Sequence, residues 1–484
     1  MEVLLISPPG GYVTKDLMPP LGLAYIASIL ENAENSVAIL DAEVEKLSWR
    51  SLEKKILEYK PIIAGVTFTT ATRFEGFKTA RIIKKALPEC KVIVGGPHAT
   101  LTANDTLSHI REIDVVVRGE GEVTMGELVS KIKNNENLKK ILGISYRDHE
   151  IIYHNPDRPF IEDLDSIPFP ARHLLKMDKY NLKLKSHEAG SVPATNLITS
   201  RGCPFACSFC STTRVWGIKW RARSSNNVID EIEHLMRKYR FRGFYFFDDT
   251  FTVNKARVYE ICNLIEERDL DIRWNCEIRV DTVDKNVLKA MKDTGCVSVS
   301  YGVESGSQVI LDNIIRKRII LDQVRKVTKW CNELDIKVKA FFMYSLPSEK
   351  LSDVKKTLEL RKSLNAEYKP FSPLRIYPGT EIEELAIAKG ILPKDFTWTK
   401  LQKGNALHAE YHKNGWGVVP LFRELLSISD LFKIQSEIFQ ADNVNIFPLI
   451  PRYLKRIRSI FQLKRHLLGA LIYFRKKLER SLNL

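Results

Sequence analysis

The sequence predicts an α/β protein with two successive α/β units, first a doubly wound parallel sheet and then a partial barrel, followed by a helical segment at the carboxyl end. Short apolar runs without alternation are each followed by a stretch of helical periodicity, which is typical of parallel strands covered by helices on both faces. The chain has 484 residues, more than a single hydrophobic core accommodates, so we expect several domains.

The first unit covers residues 1–145. Its five apolar strand segments, which alternate with helical segments, lie at residues 3–9, 36–43, 62–70, 91–97 and 114–122. In a Rossmann-like sheet of this kind, the loops at the carboxyl ends of the strands form the ligand crevice. These loops have the sequences SPPGG, TFTTAT, GGPHAT and RGEGE, and all are rich in small or polar residues.

Residues 146–192 contain a candidate hairpin and a stretch rich in Pro and Asp, and we expect them to connect the two units. The second unit covers residues 193–390, with strand segments that begin at residues 194, 243, 272, 296, 337 and 368. A complete eight-unit TIM barrel usually takes about 250 residues, so the shorter series predicts a partial (β/α)6 TIM barrel. The pattern of residues 391–484 is mainly helical.

Three of the eight cysteines lie in one short segment, RGCPFACSFC, at residues 201–210. A structural zinc site needs four ligands, usually as two pairs, and no second pair follows. A redox pair of cysteines would leave one of the three unexplained, and a Gly- and Pro-rich loop is not a core segment. A 4Fe-4S cluster accounts for all three, since three thiolates hold three irons and leave the fourth open to a ligand.

The other five cysteines occur singly among apolar or helical neighbours, and we expect them to be buried as small hydrophobic side chains. They are Cys90, Cys262, Cys276, Cys296 and Cys331.

The spacing C-x3-C-x2-C, with an aromatic residue before the last cysteine and a preceding strand, resembles the radical S-adenosylmethionine superfamily. The resemblance implies that Cys203, Cys207 and Cys210 hold a 4Fe-4S cluster whose open iron binds the amino and carboxylate groups of S-adenosylmethionine. It further implies reductive cleavage to a 5′-deoxyadenosyl radical that abstracts a hydrogen atom from an unactivated carbon.

Later strand ends agree with this resemblance, which implies further cofactor contacts. Asp248 and Asp249 lie where the family holds the methionine amine, although an Asp pair is also a common helix cap. Glu277 and Arg279 are expected to face the cavity, where the arginine can pair with the methionine carboxylate. Glu304, within YGVESG, matches a family glutamate that contacts the ribose or the sulfonium end.

One segment departs from the family pattern. The family has Gly-Leu-Pro-Gly after the fifth barrel strand, whereas this chain has Ser345 and Ser348 in place of the two glycines. The departure puts in doubt the backbone contact to adenine that the family makes there.

In the first unit, the segments PPLGLAYIASIL, VGGPHAT and VRGEGE together resemble the cobalamin-binding domain that precedes the radical domain in one large subclass. Any one of these Gly-rich turns is common after a parallel strand in many folds, so only the three segments together, in this order, carry the resemblance. The implied cofactor-contacting residues are Pro8, Pro9, Thr67, Thr69, Thr70, Gly95, Gly96, Pro97, His98, Gly119, Glu120 and Gly121. The Asp-x-His-x-x-Gly segment of many cobalamin proteins is absent, so we expect no protein histidine on cobalt. Alternatively, the domain has kept the fold and lost the cofactor.

These resemblances imply a cobalamin-dependent radical enzyme, most simply a methyltransferase that acts on an unactivated carbon. A radical cyclase, oxidase or coupling enzyme with the same two domains and no methyl transfer is the alternative within this chemistry. A nucleic-acid-binding or RNA-modifying protein is the alternative outside it. The cluster would take electrons from a donor such as flavodoxin or ferredoxin.

The composition, 44% hydrophobic and 27% charged, is that of a globular protein. The first residues lack the basic segment of a signal peptide, and no window reaches the roughly 18 apolar residues of a membrane-spanning helix. We therefore expect a cytoplasmic protein.

The net charge of +15 is concentrated in residues 451–484, where ten Lys and Arg accompany one Glu. Leu, Ile and Phe recur there at spacings of three and four, which predicts a basic amphipathic helix. Such a helix can lie on an anionic membrane surface or pack on the barrel with its charges solvated. The membrane reading would imply a lipid-like or otherwise apolar substrate. A nucleic-acid arm would instead be polar, and no RNA-binding module is recognisable, so we expect no nucleic acid.

Overall fold

The structure is a computed structural model of the chain. It describes residues 1–10, 17–186 and 190–400, together with residues 422, 424–427, 430, 433–434 and 437. The predicted amphipathic tail therefore lies outside the described residues, as does most of the region 391–484.

The first sheet has seven strands, which are β1 Val3–Ser7, β2 Val37–Asp41, β3 Ile63–Thr67, β4 Lys91–Gly95, β5 Val115–Val117, β6 Ile144–Asp148 and β7 Ile151–His154. Their order is β2-β1-β3-β4-β5-β6-β7. Strands β1 to β5 are parallel, and β6 and β7 form an antiparallel hairpin on β5. The strand order reverses between β1 and β3, and ligands of doubly wound sheets bind at such a switch point.

Helices cover both faces of this sheet, because the strands are apolar on both sides. They are α1 Leu21–Asn32, α2 Trp49–Tyr59, α3 Arg73–Ala86, α4 Pro97–Leu101, α5 Ala103–His109 and α6 Gly121–Lys133. Leu5 packs in the cluster that includes residues of α1 and α6, whereas Leu4 packs in the cluster on the other face with residues of α2 and α3. The doubly wound sheet predicted from the sequence is confirmed.

The hairpin of β6 and β7 belongs to the first sheet, so this sheet extends beyond residue 145. After it the chain runs through three short 3-10 turns, Leu164–Ser166, Arg172–Leu174 and Met177–Lys179. Leu164 and Ile167 pack with Tyr25 of α1. The connecting segment is therefore ordered against the first unit.

The second sheet has seven strands, which are β8 Lys183–Ser186, β9 Gly190–Leu197, β12 Gly243–Phe246, β13 Arg273–Glu277, β14 Cys296–Glu304, β15 Lys337–Tyr344 and β16 Phe371–Pro373. A separate small ladder pairs β10 Ser200–Arg201 with β11 Arg221–Ala222. The order in the second sheet is β16-β15-β14-β13-β12-β9-β8, and all neighbours are parallel except β8 and β9. Six parallel strands whose first and last members do not pair form an open barrel, as the sequence predicts.

Helices follow these strands on the outer side of the sheet. They are α8 Ser225–Tyr239, α9 Lys255–Glu267, α10 Lys285–Asp293, α11 Leu321–Glu333, α12 Leu351–Ser363 and α13 Glu381–Ala388. The short helix α7 Thr212–Trp216 instead follows the cysteine segment and contacts α4 of the first unit. Trp274 and Phe342 are buried in the core beneath these helices. Because successive strand side chains point to opposite faces, their neighbours in the strands face the interior of the open barrel.

All five singly placed cysteines are buried, which confirms the prediction for them. Among the described residues, no helix is long and apolar enough to span a membrane.

Candidate functional site

The cysteine segment is a loop closed by a small ladder. Its first strand, β10, ends at Arg201, which pairs antiparallel with Arg221 at the start of β11. Gly202 follows with a φ of 85°, and a Cβ atom there would lie 2.3 Å from the carbonyl oxygen of Lys219. Only glycine fits this close approach, so the Arg-Gly pair sets the geometry of the loop that carries Cys203, Cys207 and Cys210.

These three cysteines are the partly exposed ones, in contrast to the five buried thiols. Burial raises the pKa of Cys203 and of Cys207, while the nearby Lys317 and Arg279 lower that of Cys207. The cationic side chains therefore favour the thiolate, the form that binds metal.

Ser208, between the second and third cysteines, attaches the cysteine loop to the segment after β14. Its backbone N–H donates to the carbonyl oxygen of Ile315 at 3.0 Å, and its hydroxyl donates to that of Ile314 at 3.0 Å. These carbonyls belong to a π-helical turn, Ile310–Ile314, and the residue that follows it. Two hydrogen bonds thus tie the centre of the cysteine loop to the segment after β14.

The donor set fits a 4Fe-4S cluster. Across the described part of the chain, no three His, Cys, Asp or Glu side chains converge on one metal-ion position. A cluster does not need such convergence, because each thiolate binds a different iron. Three thiols in one loop, supported by cations, are compatible with a cluster, whereas a structural zinc site takes four protein ligands.

The two aspartates after β12 have different surroundings. Asp248 is buried and accepts hydrogen bonds from the backbone N–H and hydroxyl of Thr199 and from the hydroxyl of Ser200, at 2.6 to 2.7 Å. Asp249 is accessible to solvent and accepts one hydrogen bond, from Thr212 at 3.0 Å. Surrounding protein atoms raise the pKa of Asp249 to about 6. Asp248 therefore joins two strand ends, and Asp249 is the carboxylate that is open to a ligand.

Glu277 lies in the register row Glu277–Ser300–Lys339 that crosses β13, β14 and β15. Trp274 and Cys276 of the same strand are buried under the helices, so Glu277 faces the interior of the barrel. Burial raises the pKa of Glu277, while Ser300, Lys339 and Lys317 oppose the shift.

Arg279 is turned toward the cysteine loop. Its guanidinium donates to both carboxylate oxygens of Asp281 at 2.9 and 2.7 Å, and stacks 3.6 Å from the ring centroid of Phe205. A third contact reaches Sγ of Cys207 at 3.9 Å. This arginine is thus already paired with a carboxylate, and its position supports the loop.

Glu304 ends β14 with a φ of 69°, and its carboxylate accepts a hydrogen bond from Lys317 Nζ at 2.8 Å. Both side chains are nine-tenths buried. A Cβ atom on Gly302 would lie 1.8 Å from Glu304 Oε1 and 2.4 Å from Lys317 Nζ. A side chain at position 302 would therefore displace this ion pair, which lies beside the cysteine loop.

The loop after β15 has the left-handed backbone conformation that glycines favour, although the two positions concerned are serines. Ser345 and Ser348 have φ values of 62° and 56°, in the left-handed region that favours glycine. The Ser345 hydroxyl donates to the carbonyl oxygen of Phe422, and the Ser348 N–H donates to the Glu424 carboxylate. The two serines replace the family's glycines, and both contact the region after the barrel.

Glu120 joins the two units. Its Oε1 accepts hydrogen bonds from Arg201 at 3.0 Å and from Arg221 at 2.9 Å, and Arg201 also donates to Glu122 at 2.5 Å. All four side chains are at most 5% exposed. We call this group of Glu120, Glu122, Arg201 and Arg221 the interdomain clamp. It connects the loop after β5 to both ends of the cysteine loop.

The loops after β3 and β4 surround a buried histidine. His98 is 0% exposed, its Nδ1 lies 3.0 Å from the Thr70 hydroxyl, and its ring lies against Trp398. Burial, and then the charge of Arg73, hold the pKa of His98 well below its usual range. Within the described residues its Nε2 has no hydrogen-bond partner, so the site has an unused polar atom for a ligand.

The other residues predicted for the first unit lie at the same sheet edge. Pro8 and Pro9 are buried, Pro97 is exposed, and Thr67, Thr69, Gly95, Gly96, Gly119 and Gly121 are half-buried. Gly96 has a φ of 95°, and a Cβ atom there would lie 2.8 Å from Thr67 Oγ1. This narrow, partly accessible edge fits a ligand that approaches the backbone closely.

Three residues that contact predicted site residues are not themselves predicted from the sequence: Arg221, Lys317 and Trp398. Arg221 has a signal in hindsight, since arginines flank the cysteine loop on both sides. The sequence neighbours of Lys317 and Trp398 form no recognisable motif, and nothing local in the sequence connects these two residues to Glu304 or His98.

Comparisons with known proteins agree with this geometry. A family model of the radical SAM superfamily matches residues 197–361, and one of the B12 binding domain matches residues 11–129. The chain is 38% identical to an uncharacterized methyltransferase of Pyrococcus horikoshii, over 81% of this chain and 84% of that protein. It is 29% identical to an anaerobic magnesium-protoporphyrin IX monomethyl ester cyclase of Rubrivivax gelatinosus, over 79% of this chain and 69% of that protein.

Among solved structures, the radical S-adenosylmethionine methyltransferase TsrM of Kitasatospora setae has the same fold. It superposes with a TM-score of 0.71 at 18% identity and covers 91% of this chain and 89% of its own. The two matched family models follow each other in the order of the two sheets. The chain therefore belongs to the radical S-adenosylmethionine superfamily, in the group of enzymes that carry a B12-binding domain before the radical domain.

Proposed function

We propose that this chain is a cobalamin-dependent methyltransferase that acts on an unactivated carbon of an apolar or lipid-like small molecule. The interdomain clamp is the observation that carries the proposal. Through Glu120, it joins the ligand edge of the first sheet to the loop that carries the three cysteines. Two cofactor sites that share a buried junction are suited to a reaction that uses both cofactors in turn.

When bound, the cluster supplies the electron that cleaves S-adenosylmethionine, and cobalamin carries the methyl group. Cys203, Cys207 and Cys210 bind the cluster in this proposal, and Asp249 accepts a hydrogen bond from the methionine amine. Glu304, held by Lys317, is positioned for the ribose or the sulfonium end.

The cobalamin would lie along the loops after β1, β3, β4 and β5. Gly96 allows close approach of the backbone, and the unused Nε2 of His98 offers a hydrogen bond to the nucleotide tail. The chain lacks the Asp-x-His-x-x-Gly segment of many cobalamin proteins, and we keep the prediction that no histidine binds cobalt.

Two exposed aromatic side chains support an apolar substrate. Phe247 is 58% exposed and Phe341 is 37% exposed, although both neighbour buried strand residues, Phe246 and Phe342. By strand alternation they face the interior of the barrel. Large apolar side chains held accessible inside an open barrel favour contact with an apolar molecule.

A radical cyclisation without methyl transfer is the second candidate, and the relationship to the cyclase of Rubrivivax gelatinosus favours it. The basic tail adds a further proposal, peripheral contact with an anionic membrane that holds the substrate. Co-sedimentation with anionic liposomes, compared with a chain that ends at residue 445, tests the membrane contact. Binding that is the same with and without the tail would contradict it.

The methyltransferase proposal is tested with protein that has been reconstituted anaerobically with iron, sulfide and cobalamin. S-adenosylmethionine with a deuterated methyl group should transfer its label to the reduced cobalamin, and reductant should yield 5′-deoxyadenosine. The triple variant with Ala at Cys203, Cys207 and Cys210 should lose the cluster absorbance and the 5′-deoxyadenosine, whereas Cys262→Ala should keep both. Labelled S-adenosylmethionine that never transfers its methyl group to cobalamin would favour the cyclisation.

A further inference from the structure

A row of side chains crosses the interior of the open barrel. Glu277 of β13 pairs with Ser300 of β14, and Ser300 pairs with Lys339 of β15. A parallel bridge continues the row from Lys339 to Tyr368. Val338, which precedes Lys339, is 1% exposed and packs in the core under the helices. Because side chains alternate along a strand, Lys339 faces the interior of the barrel.

Accessible aromatic side chains accompany this row. Tyr368 is 57% exposed, and Phe341, two residues after Lys339 on the same face of β15, is 37% exposed. Phe247 follows the end of β12 and is 58% exposed. Lys339 itself is half-buried. The interior of the barrel can therefore accept a ligand with an apolar body, and this ligand would meet one cation.

Lys339 differs from the lysines near it in its partners. Lys317 forms an ion pair with Glu304, and Lys337 forms one with Glu367. None of the carboxylates in the part of the chain that the structure describes forms an ion pair with Lys339. An ammonium group has three N–H donors and no acceptor, so a ligand that displaces water from Lys339 must supply an acceptor of its own.

Glu277 keeps a charge of its own in the same row. Burial raises the pKa of Glu277, while Ser300, Lys339 and Lys317 oppose the shift. Ser300 lies between Glu277 and Lys339, so the backbones of these two residues are two strands apart, about 10 Å at the usual strand spacing. Coulomb interactions weaken with distance. An anion in contact with the ammonium is therefore attracted to Lys339 more strongly than it is repelled by Glu277.

We propose that Lys339 anchors an anionic oxygen group, a carboxylate or a phosphate, at one end of an otherwise apolar substrate. This inference rests on the proposed function and defines its substrate class more closely. Charge-assisted hydrogen bonds to such oxygens are stronger than those to a neutral hydroxyl or carbonyl group. No bond is made or broken at Lys339, which is a specificity residue and not a catalytic one.

The depth of Lys339 separates the anchored group from the chemistry. Lys339 lies five residues before Tyr344, where β15 ends, which is about 16 Å at about 3.3 Å per residue. The cysteine loop follows the carboxyl end of β9, and reactions in barrels take place at the carboxyl ends of the strands. The anchored group is therefore distant from the carbon that reacts, and it orients the rest of the substrate.

The experiment measures the binding of three probes to the reconstituted full-length protein by isothermal titration calorimetry. Decanoate, decyl phosphate and decanol have the same chain and different head groups, so the anion that binds more tightly identifies the source of the charge. Lys339→Met keeps an unbranched side chain and should weaken binding of the anions about tenfold, with decanol unchanged. Lys339→Arg keeps the charge and should retain most of the affinity.

The matched control is Lys337→Met, which makes the same change on the same face of β15, at a lysine that lies 3.4 Å from Glu367. It should leave all three affinities unchanged. Equal anion affinities in wild type and Lys339→Met would overturn the anchor, and so would a wild type that binds neither anion more tightly than decanol. An equal loss in Lys337→Met would also overturn it, because the effect would then not be specific to Lys339.

Two further measurements separate this inference from its foundations. The dissociation constant for S-adenosylmethionine, measured by equilibrium dialysis, should be the same in Lys339→Met and wild type. A rise would show that Lys339 acts through Glu277 and would overturn the anchor. A wild type that binds the anions through Lys339 but never transfers a methyl group to cobalamin would contradict the proposed methyl transfer alone, so the two failures are distinguishable.

Discussion

Replacing Glu120 with Gln tests how strongly the interdomain clamp holds the two units together. Glu120 Oε1 accepts from Arg201 and Arg221, and Oε2 accepts from the N–H of Ile161 at 2.6 Å. Although burial opposes its charge, Glu122 and Glu120 raise the pKa of Arg201. In Glu120→Gln, Arg201 keeps Glu122 as its partner, whereas Arg221 keeps only uncharged acceptors, including the carbonyl oxygens of Ile161 and Trp216.

One arginine, 3% exposed, is then left without a countercharge. Breaking a buried ion pair in this way costs about 3–5 kcal/mol. A matched control is Glu127→Gln, since Glu127 pairs with Arg158 and is 37% exposed. Exposed pairs contribute about 0–1 kcal/mol, so the control should have little effect.

The assay is equilibrium unfolding in urea, followed by circular dichroism and tryptophan fluorescence. The midpoint should fall clearly in Glu120→Gln, and the two units should unfold in separate steps because their junction is weakened. A cost below about 1 kcal/mol, equal to that of Glu127→Gln, would refute the reasoning that the clamp joins the units.

Three further changes follow from the site. Gly302→Ala places a Cβ atom where the Glu304–Lys317 pair lies. The dissociation constant for S-adenosylmethionine, measured by equilibrium dialysis, should therefore rise at least about tenfold. An unchanged constant would contradict the proposed contact of Glu304. Burial raises the pKa of Glu349 to about 8. The folded state therefore keeps a proton that the unfolded state releases above a pKa of about 4.3. As a result, the free energy of unfolding should fall by up to about 1.4 kcal/mol per pH unit from pH 5 to 8. Glu349→Gln should remove this slope, measured as urea midpoint against pH, and an identical slope in the variant would exclude Glu349 as its source. Ser348 has a φ of 56°, where a β-branched residue is strained. Ser348→Val should therefore lower the free energy of unfolding by about 1–2 kcal/mol, whereas Ser348→Gly should not. Equal urea midpoints for the two variants would contradict backbone strain at this position.

Local pattern was enough to predict both sheets and the partial barrel. Strands such as Val3–Ser7 and Ile63–Thr67 are short, mainly apolar runs followed by polar or Pro- and Gly-rich loops, and their helices have clear periodicity. The cysteine loop was also predictable, because its chemistry depends on spacing within ten residues. The hairpin of β6 and β7 was expected, but its place in the first sheet depends on pairing with β5, which no local signal shows.

The roles of single charged residues were less predictable. Asp248 and Asp249 are adjacent and chemically identical, and only the strand end at Thr199 makes one a structural acceptor. Glu120 stands in a Gly-rich loop that indicates a ligand, whereas its carboxylate contacts arginines that follow it by 81 and 101 residues. Such contacts depend on how two units pack, and periodicity contains no information about that packing.

The most direct test of the account is a magnetic measurement of the two cofactors together. In protein reconstituted with both, the reduced cluster and cob(II)alamin are each paramagnetic, so electron paramagnetic resonance can report whether they interact. Because the interdomain clamp brings the two cofactor loops to one junction, we expect a spin–spin interaction between cluster and cobalt that is lost in the triple cysteine variant. Full signals of the reduced cluster and of cob(II)alamin, without any spin–spin interaction, would contradict the claim that the two cofactors lie at one site.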